Sequence, residues 1–147
     1  MAPFAKVVAE LCSDSVSDTI RTSFGDTLVV PTRSRALCTA VASQIKSENI
    51  TVVITPTHSE AQALAGDLVA FLGEDKVELL PAWETLPFER VSPAIETMGH
   101  RCRVQSRIKS RNNPQIVVCS VRAAIQKVIS IKKSLEIKLF KGAEIDR

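Results

Sequence analysis

The stretch Ile50-Thr-Val-Val-Ile-Thr-Pro56 runs from a β-branched apolar segment into the hydroxyl residues Thr57 and Ser59. A segment from Glu60 to Leu72 follows, with apolar residues at the helical spacing of Ala63, Leu64, Leu68 and Phe71. A hydroxyl side chain at such a junction can accept a hydrogen bond from the first turn of a helix. The stretch therefore predicts a strand, an N-cap and a helix in succession.

The same order of patterns occurs twice more. One unit is Asp26-Thr-Leu-Val-Val-Pro31, with Thr32 and Ser34 before a helical pattern from Arg35 to Lys46. The other is Gln115-Ile-Val-Val-Cys-Ser120, with a helical pattern from Val121 to Ile129. Further strands are predicted at Lys76 to Leu80 and Leu135 to Phe140. Short apolar strands that alternate with helices indicate an α/β fold, a parallel sheet with helices on both faces.

Composition restricts the classes of protein to which the chain can belong. Its 147 residues suit one domain, with 45% hydrophobic residues, 24% charged residues and a net charge of +3. No apolar run is long enough to span a bilayer, so we expect a cytoplasmic protein with no membrane partner. Metal or disulfide chemistry is not expected, because the cysteines are far apart in sequence: Cys12, Cys38, Cys102 and Cys119.

A phosphate-binding loop is the first chemistry to test in an α/β chain. Such a loop needs glycines, a lysine and a hydroxyl. The segment Thr32-Arg-Ser-Arg35 offers Thr32, Arg33, Ser34 and Arg35, and there is no glycine between Gly25 and Gly66. Arginines at a helix N-terminus could still meet a phosphate, but solvated arginines are the favoured interpretation. We predict no nucleotide, no other cofactor and no catalytic residue.

A basic stretch lies between His100 and Arg111. It holds Arg101, Arg103, Arg107, Lys109 and Arg111 without an acid, and three of these arginines recur at intervals of four residues. That helix face could meet nucleic acid or an acidic protein. The alternative is a solvated helix whose other side packs on the sheet through Ile95, Met98 and Cys102.

The segment Leu79-Leu-Pro-Ala-Trp-Glu-Thr-Leu-Pro-Phe-Glu-Arg-Val-Ser-Pro93 contains the only tryptophan of the chain. Prolines at positions 81, 87 and 93 prevent regular hydrogen bonding. Burial of Trp83, Leu86 and Phe88 against the domain would stabilise such a segment. We therefore predict a packed loop that anchors the fold.

This segment also carries a family resemblance, through Trp83, Glu84, Thr85, Leu86, Pro87, Phe88, Ser92 and Pro93. Together with Gln115-Ile-Val-Val-Cys-Ser-Val-Arg-Ala-Ala124 and Lys141-Gly-Ala-Glu-Ile-Asp146, it resembles the N-terminal region of bacterial transcription-repair coupling factors. The resemblance covers Asp26 to the end of the chain, and residues 1–25 align only loosely. A more distant likeness is to the B subunit of the nucleotide-excision repair excinuclease.

The resemblance implies three parts. Residues 1–25 form an N-terminal helical segment, residues 26–140 an α/β domain similar to the B subunit of the excinuclease, and residues 141–147 the truncated start of a following domain. The α/β domain would be helicase-like, related to P-loop NTPases but without a phosphate loop. ATP and magnesium would bind only a downstream motor of the full-length protein.

The resemblance also implies a function and partners. The full protein would use ATP to release RNA polymerase stalled at DNA lesions, and it would recruit nucleotide excision repair. The A subunit of the excinuclease would bind the adjoining domain, while RNA polymerase and DNA would bind downstream domains. The chain itself is expected to be a non-catalytic scaffold or interaction domain. The alternative is a nucleic-acid-binding module that uses the Arg101 to Arg111 face.

Overall fold

The computed structural model describes residues 2–12, 18, 29–45, 49–85, 92–110 and 113–126. These residues form five α-helices, three β-strands and two 3-10 turns at Thr32–Ser34 and Glu74–Lys76. In chain order the helices and strands are α1 Ala5–Cys12, α2 Arg35–Ile45, β1 Thr51–Thr55, α3 His58–Leu72, β2 Val77–Leu80, α4 Ile95–Lys109, β3 Ile116–Ser120 and α5 Val121–Ile125. The prediction of an α/β fold is confirmed.

The three strands form one parallel sheet in the order β1-β3-β2. Val118 in the central strand lies opposite Val53 of β1 and Leu79 of β2. All five residues of β3 are buried, as expected of a central strand covered on both sides.

One face of the sheet, here called the first face, is apolar. Residues Val53, Val77, Leu79, Ile116 and Val118 share it, because alternate residues of a strand point to the same side. Helix α3 packs on this face, and α1 and α2 pack against α3. The buried helical residues of this core are Val8, Ala36, Ala40, Val41, Ala61, Leu64, Ala65, Leu68 and Leu72. Burying a side chain the size of leucine contributes about 1.5–3 kcal/mol, so this core is the main source of stability.

The opposite face, called the second face, carries Val52, Ile54, Glu78, Leu80, Val117 and Cys119. Helix α4 contacts β2, and α5 contacts β3 and β1. Side chains of α4 reach Glu78 on this face, so helices lie on both faces of the sheet.

Hydroxyl caps are confirmed at two of the three predicted junctions. Thr57 accepts a hydrogen bond from the backbone N–H of Glu60 (3.2 Å), and Ser120 accepts one from Ala123 (3.3 Å). At the first junction the prediction is wrong, since Ser34 donates its hydroxyl proton to the carbonyl of Pro31 instead of capping α2.

The predicted strand from Asp26 to Pro31 is not confirmed. Residues 29–31 lie outside the sheet, and Val29 is 88% exposed, while positions 26–28 are not among the described residues. The predicted strand from Leu135 to Phe140 and the end of the last predicted helix also lie outside the described part of the chain.

Candidate interaction site at the carboxyl edge of the sheet

The chain leaves β2 at the carboxyl edge of the sheet through residues 81–85, here called the Trp83 segment. Strands β1 and β3 end at the same edge, at Thr55 and Ser120. In open parallel sheets ligands bind outside the carboxyl ends of the strands. This edge is therefore the place to look for a functional site.

The backbone of Trp83 is held by one side chain. Its N–H donates to Oε1 of Gln126 (2.6 Å), and Nε2 of Gln126 donates to the carbonyl oxygen of Trp83 (3.3 Å). Gln126 follows the last residue of α5. A segment that prolines keep out of the sheet thus has its polar backbone satisfied by an amide side chain.

Arg101 lies beneath the Trp83 segment and is 1% exposed. Its guanidinium carbon is 4.8 Å from the centre of the Trp83 ring, and Nη1 donates to the carbonyl oxygen of Pro81 (2.6 Å). Its Nε and Nη2 atoms are buried without a hydrogen-bond partner. Desolvation lowers the pKa of Arg101 below its ordinary value. Arg101 is therefore part of the interior and not of a solvent-facing basic surface.

Glu84 joins the Trp83 segment to the start of α4. Its carboxylate accepts hydrogen bonds from the backbone N–H of Ala94 (3.3 Å) and the hydroxyl of Thr97 (2.7 Å). A carboxylate is favourable at a helix N-terminus, where N–H groups are unpaired. The carbonyl of Glu84 accepts from Nη2 of Arg122 in α5 (3.1 Å). The segment therefore links β2, α4 and α5.

The other predicted family-signature residues are less informative. Thr85 and Pro93 are half-buried and Ser92 is exposed, whereas Leu86, Pro87 and Phe88 lie outside the described residues. Trp83 itself is half-buried.

The remaining arginines of α4 contact the protein through Glu78, which is 7% exposed. Arg107 reaches its Oε1 at 2.5 Å and Arg103 at 3.3 Å, although the Arg103 side chain stays 61% exposed. Arg107 also donates to the carbonyl of Asp75. Arg111 is not among the described residues. Of the predicted basic face, Arg107 is thus turned toward β2, whereas Arg103 keeps most of its side chain in solvent.

The predicted packing of the other side of α4 is wrong. Ile95 is 85% exposed and Met98 43% exposed, and Cys102 is exposed too. Arg101 and Val104 are the buried residues of the helix. Glu78 explains the inversion, because a buried carboxylate attracts arginine side chains that would otherwise extend into water. Its position inside an apolar strand, Val77-Glu-Leu-Leu80, was the sequence signal for such a partner. No comparable signal marked Gln126.

The segment from Thr32 to Arg35 lies at the start of α2. Thr32–Ser34 form a 3-10 turn, and Nη1 of Arg35 lies 3.9 Å from Oε2 of Glu60 in α3. Arg33 is exposed. The candidate phosphate ligands are therefore partly engaged within the protein.

Other features offer little chemistry. A shallow cavity of about 310 Å³ at the amino edge of the sheet is lined by Gln44, Asn49, Asp75, Lys76, Asn113, Pro114 and Gln115. Within the described part of the chain, no three His, Cys, Asp or Glu side chains gather as metal ligands would. No described helix is long and apolar enough to cross a membrane.

Comparison with known proteins identifies relatives of the chain. No protein-family model matches it. The transcription-repair-coupling factors of Mycobacterium bovis (strain ATCC BAA-935 / AF2122/97) and Mycobacterium tuberculosis (strain CDC 1551 / Oshkosh) are each 40% identical to it over 106 residues. The match covers 68% of this chain but only 8% of each relative. The aligned residues identify this chain as a domain of the transcription-repair-coupling factor family.

Proposed function

We propose that this chain is a non-catalytic scaffold and interaction domain of a transcription-repair coupling factor in the cytoplasm. The complete protein would release RNA polymerase stalled at DNA lesions with the energy of ATP. It would also recruit nucleotide excision repair. This domain would shape the neighbouring site for the A subunit of the excinuclease, while RNA polymerase, DNA, ATP and magnesium would bind elsewhere in the protein.

The observation that carries the non-catalytic part of the proposal is the loop before α2. It has no glycine to bring backbone N–H groups around a phosphate. The hydroxyl of Ser34 is bonded to Pro31, and the guanidinium of Arg35 pairs with Glu60. A helicase-like motor would need these groups free for nucleotide and magnesium.

The scaffold part of the proposal is supported by the Trp83 segment. It ties β2 to the N-terminus of α4 through Glu84 and to the end of α5 through Gln126. Side chains fix each of these joints, so the carboxyl edge is held in one arrangement. A fixed edge suits a domain that positions its neighbours.

ATP turnover tests the non-catalytic assignment. The purified chain is expected to hydrolyse ATP with magnesium no faster than buffer, and its melting temperature is expected to be unchanged by the nucleotide. An Arg35→Ala variant serves as a control for weak phosphate contacts. Turnover above buffer that disappears in this variant would refute the assignment.

Affinity for the A subunit of the excinuclease tests the scaffold role in the full-length protein. Glu84→Ala removes the carboxylate that holds the start of α4, so the affinity is expected to fall severalfold with the ATPase rate of the motor unchanged. Glu96→Ala, which changes an exposed acid in the first turn of the same helix, is the matched control. Equal affinity of the two variants would contradict the scaffold role.

A nucleic-acid-binding module is the second candidate, and the exposed side chain of Arg103 is the observation that favours it. This candidate predicts DNA affinity that falls steeply with salt and weakens in Arg103→Ala and Arg107→Ala. Because Arg107 is 20% exposed and paired with Glu78, its contribution should be the smaller. Lack of DNA binding by the chain at low salt eliminates this candidate.

A further inference from the structure

The unpartnered donors of Arg101 lie on one edge of its guanidinium group. Nη1 donates to the carbonyl oxygen of Pro81, whereas Nε and Nη2 are buried and no described residue accepts from them. The N–H bonds of Nε and Nη2 run side by side, so together they form a fork that fits the two oxygens of one carboxylate. Arg101 therefore holds a complete set of carboxylate donors that the described structure does not use.

The acids beside Arg101 are engaged elsewhere. The carboxylate of Glu84 accepts hydrogen bonds at the start of α4, and that of Glu78 pairs with two other arginines of the helix. Burial removes the water that would otherwise bind the free donors of a guanidinium, so a fork without an acceptor is unfavourable. Within the described part of the chain, the charge of Arg101 has no carboxylate partner.

The Trp83 segment separates this fork from solvent. The Trp83 ring centre is 4.8 Å from the guanidinium carbon, and Arg101 is only 1% exposed. The segment belongs to no described strand or helix, and side chains hold its backbone, Gln126 at Trp83 and Arg122 at Glu84. Its displacement would therefore break no backbone ladder of the sheet.

The fork changes the balance between a closed and an open arrangement of the segment. In the closed arrangement, which the structure shows, Nε and Nη2 have neither water nor an acceptor. When the segment lifts, both donors are hydrated, which offsets part of the loss of the ring contact and of the bonds from Gln126. A ligand that pairs with the fork binds only the open arrangement and shifts the population toward it.

We propose that Arg101 is a binding site for a carboxylate, closed in the free domain by the Trp83 segment and opened by an acidic side chain of a protein partner. Such a carboxylate stands at the end of a flexible stem and can enter beneath the segment. A backbone phosphate of nucleic acid carries a sugar on either side and cannot. The inference gives the proposed interaction domain a partner chemistry, and it rests on that proposed function.

An acidic peptide tests the site directly. Trp83 is the only tryptophan, so its emission reports whether the ring leaves Arg101. At constant ionic strength we expect a saturable change with acetyl-hexaglutamate and none with acetyl-hexaglutamine. Arg101→Met should weaken this binding at least about tenfold, since the fork is lost. Arg103→Met, which changes a largely exposed arginine of the same helix, is the matched control and should change it less than about twofold.

Three outcomes of this titration overturn the proposal. They are the absence of a saturable change, an equal loss of affinity in the two arginine variants, and a change in Trp83 emission that a thymidine oligonucleotide produces through Arg101. The last outcome would assign the fork to phosphate.

A variant that opens the segment should bind more tightly. Gln126→Ala removes the side chain that holds both backbone groups of Trp83, so acrylamide should quench the tryptophan more strongly and hexaglutamate should bind severalfold tighter. Gln62→Ala, at an exposed position of α3, is the matched control and should change neither. A gain of affinity cannot come from misfolding, so this measurement stands even if Arg101→Met is unstable. Unchanged affinity in Gln126→Ala contradicts the proposal.

A final variant tests for an acceptor within the chain. Glu89 is the one acid of the sequence between the Trp83 segment and α4, and it lies outside the described residues. Glu89→Gln should leave hexaglutamate affinity unchanged. Tighter binding in this variant would mean that the chain fills the fork itself, and would overturn the proposal. ATP turnover by the chain would refute the non-catalytic assignment without changing these affinities.

Discussion

The two faces of the sheet are joined to their helices by different chemistry. On the first face, α3 packs through aliphatic residues such as Leu64 and Leu68 against Ile116 and Val118. On the second face, α4 packs through arginines, with Arg103 and Arg107 on Glu78 and Arg101 beneath Trp83. The sheet therefore has an apolar helix interface on its first face and a charged helix interface on its second face.

The two interfaces contribute differently to the stability of the fold and to the orientation of its helices. Aliphatic packing depends on area and volume and, unlike an ion pair, is not weakened by the screening of charges in salt. A buried carboxylate with two arginines gains little over an apolar pair of the same shape, but loses much when one partner is removed. The first face therefore makes the fold stable, and the second face fixes which side of α4 turns inward.

The largest expected effect comes from the first face. Leu68→Ala removes a side chain that is 0% exposed and should lower the free energy of unfolding by about 3 kcal/mol. Urea unfolding followed by the emission of Trp83 measures the loss. Ile95→Ala, at an 85% exposed position, should cost less than about 0.5 kcal/mol. A similar loss in both variants would mean that the aliphatic core does not dominate stability.

The charged interface should give the next largest effect. Glu78→Gln keeps the shape of the side chain but removes the charge that two arginines share, and should cost about 2 kcal/mol. Arg103 is largely exposed, so part of this loss should disappear in 1 M salt. The loss in Leu68→Ala should stay the same in salt. Equal salt dependence for the two variants would contradict the contrast between the faces.

Helix capping gives an intermediate effect at one junction and none at another. Thr57→Ala removes the acceptor for the N–H of Glu60 at the start of α3 and should cost about 1 kcal/mol. Ser34→Ala should cost less than about 0.5 kcal/mol, because Ser34 caps no helix. Thermal unfolding of the two variants distinguishes them, and an equal loss would contradict the capping assignment.

Arg101 separates the role of volume from the role of charge. Arg101→Met fills the space beneath Trp83 and removes two buried unpartnered donors, so its stability should stay within about 1 kcal/mol of the original protein. Arg101→Ala leaves a cavity and should be at least about 1 kcal/mol less stable than the methionine variant. Equal losses would show that the hydrogen bond to Pro81 is the dominant contribution.

The smallest effect is a difference in thiol chemistry. Burial raises the pKa of Cys119 above its ordinary value of 9.0, so the folded state holds its thiol more firmly protonated than the unfolded chain does. This contribution to stability is present below pH 9.0 and is lost as the pH rises through the higher folded value. At pH 8, iodoacetamide should modify the exposed Cys102 rapidly and Cys119 only after unfolding. Fast modification of Cys119 in the folded chain would contradict its burial.

Much of the fold could be predicted because its signals are local. Alternating strands and helices, and the caps at Thr57 and Ser120, follow from residues within one turn or one strand. The orientation of α4 was not predicted, because it depends on Glu78, which lies 25 residues from Arg103 in sequence and marks itself only as a charge within an apolar strand. The hydrogen bonds between Trp83 and Gln126 were not predicted either, because an amide side chain that binds a distant backbone has no recognisable sequence pattern. Val29–Pro31 have strand composition but pair with no strand in the part of the chain that the structure describes, and propensity alone does not make a sheet.

The amide of Gln126 has a mechanical consequence. A pull on the polypeptide that continues past α5 is resisted by two hydrogen bonds, both of which end on the backbone of Trp83. These bonds therefore couple the end of α5 to the carboxyl edge of the sheet through Trp83. Glu84, the residue after Trp83, accepts hydrogen bonds from Ala94 and Thr97, so tension at Gln126 would also reach the start of α4.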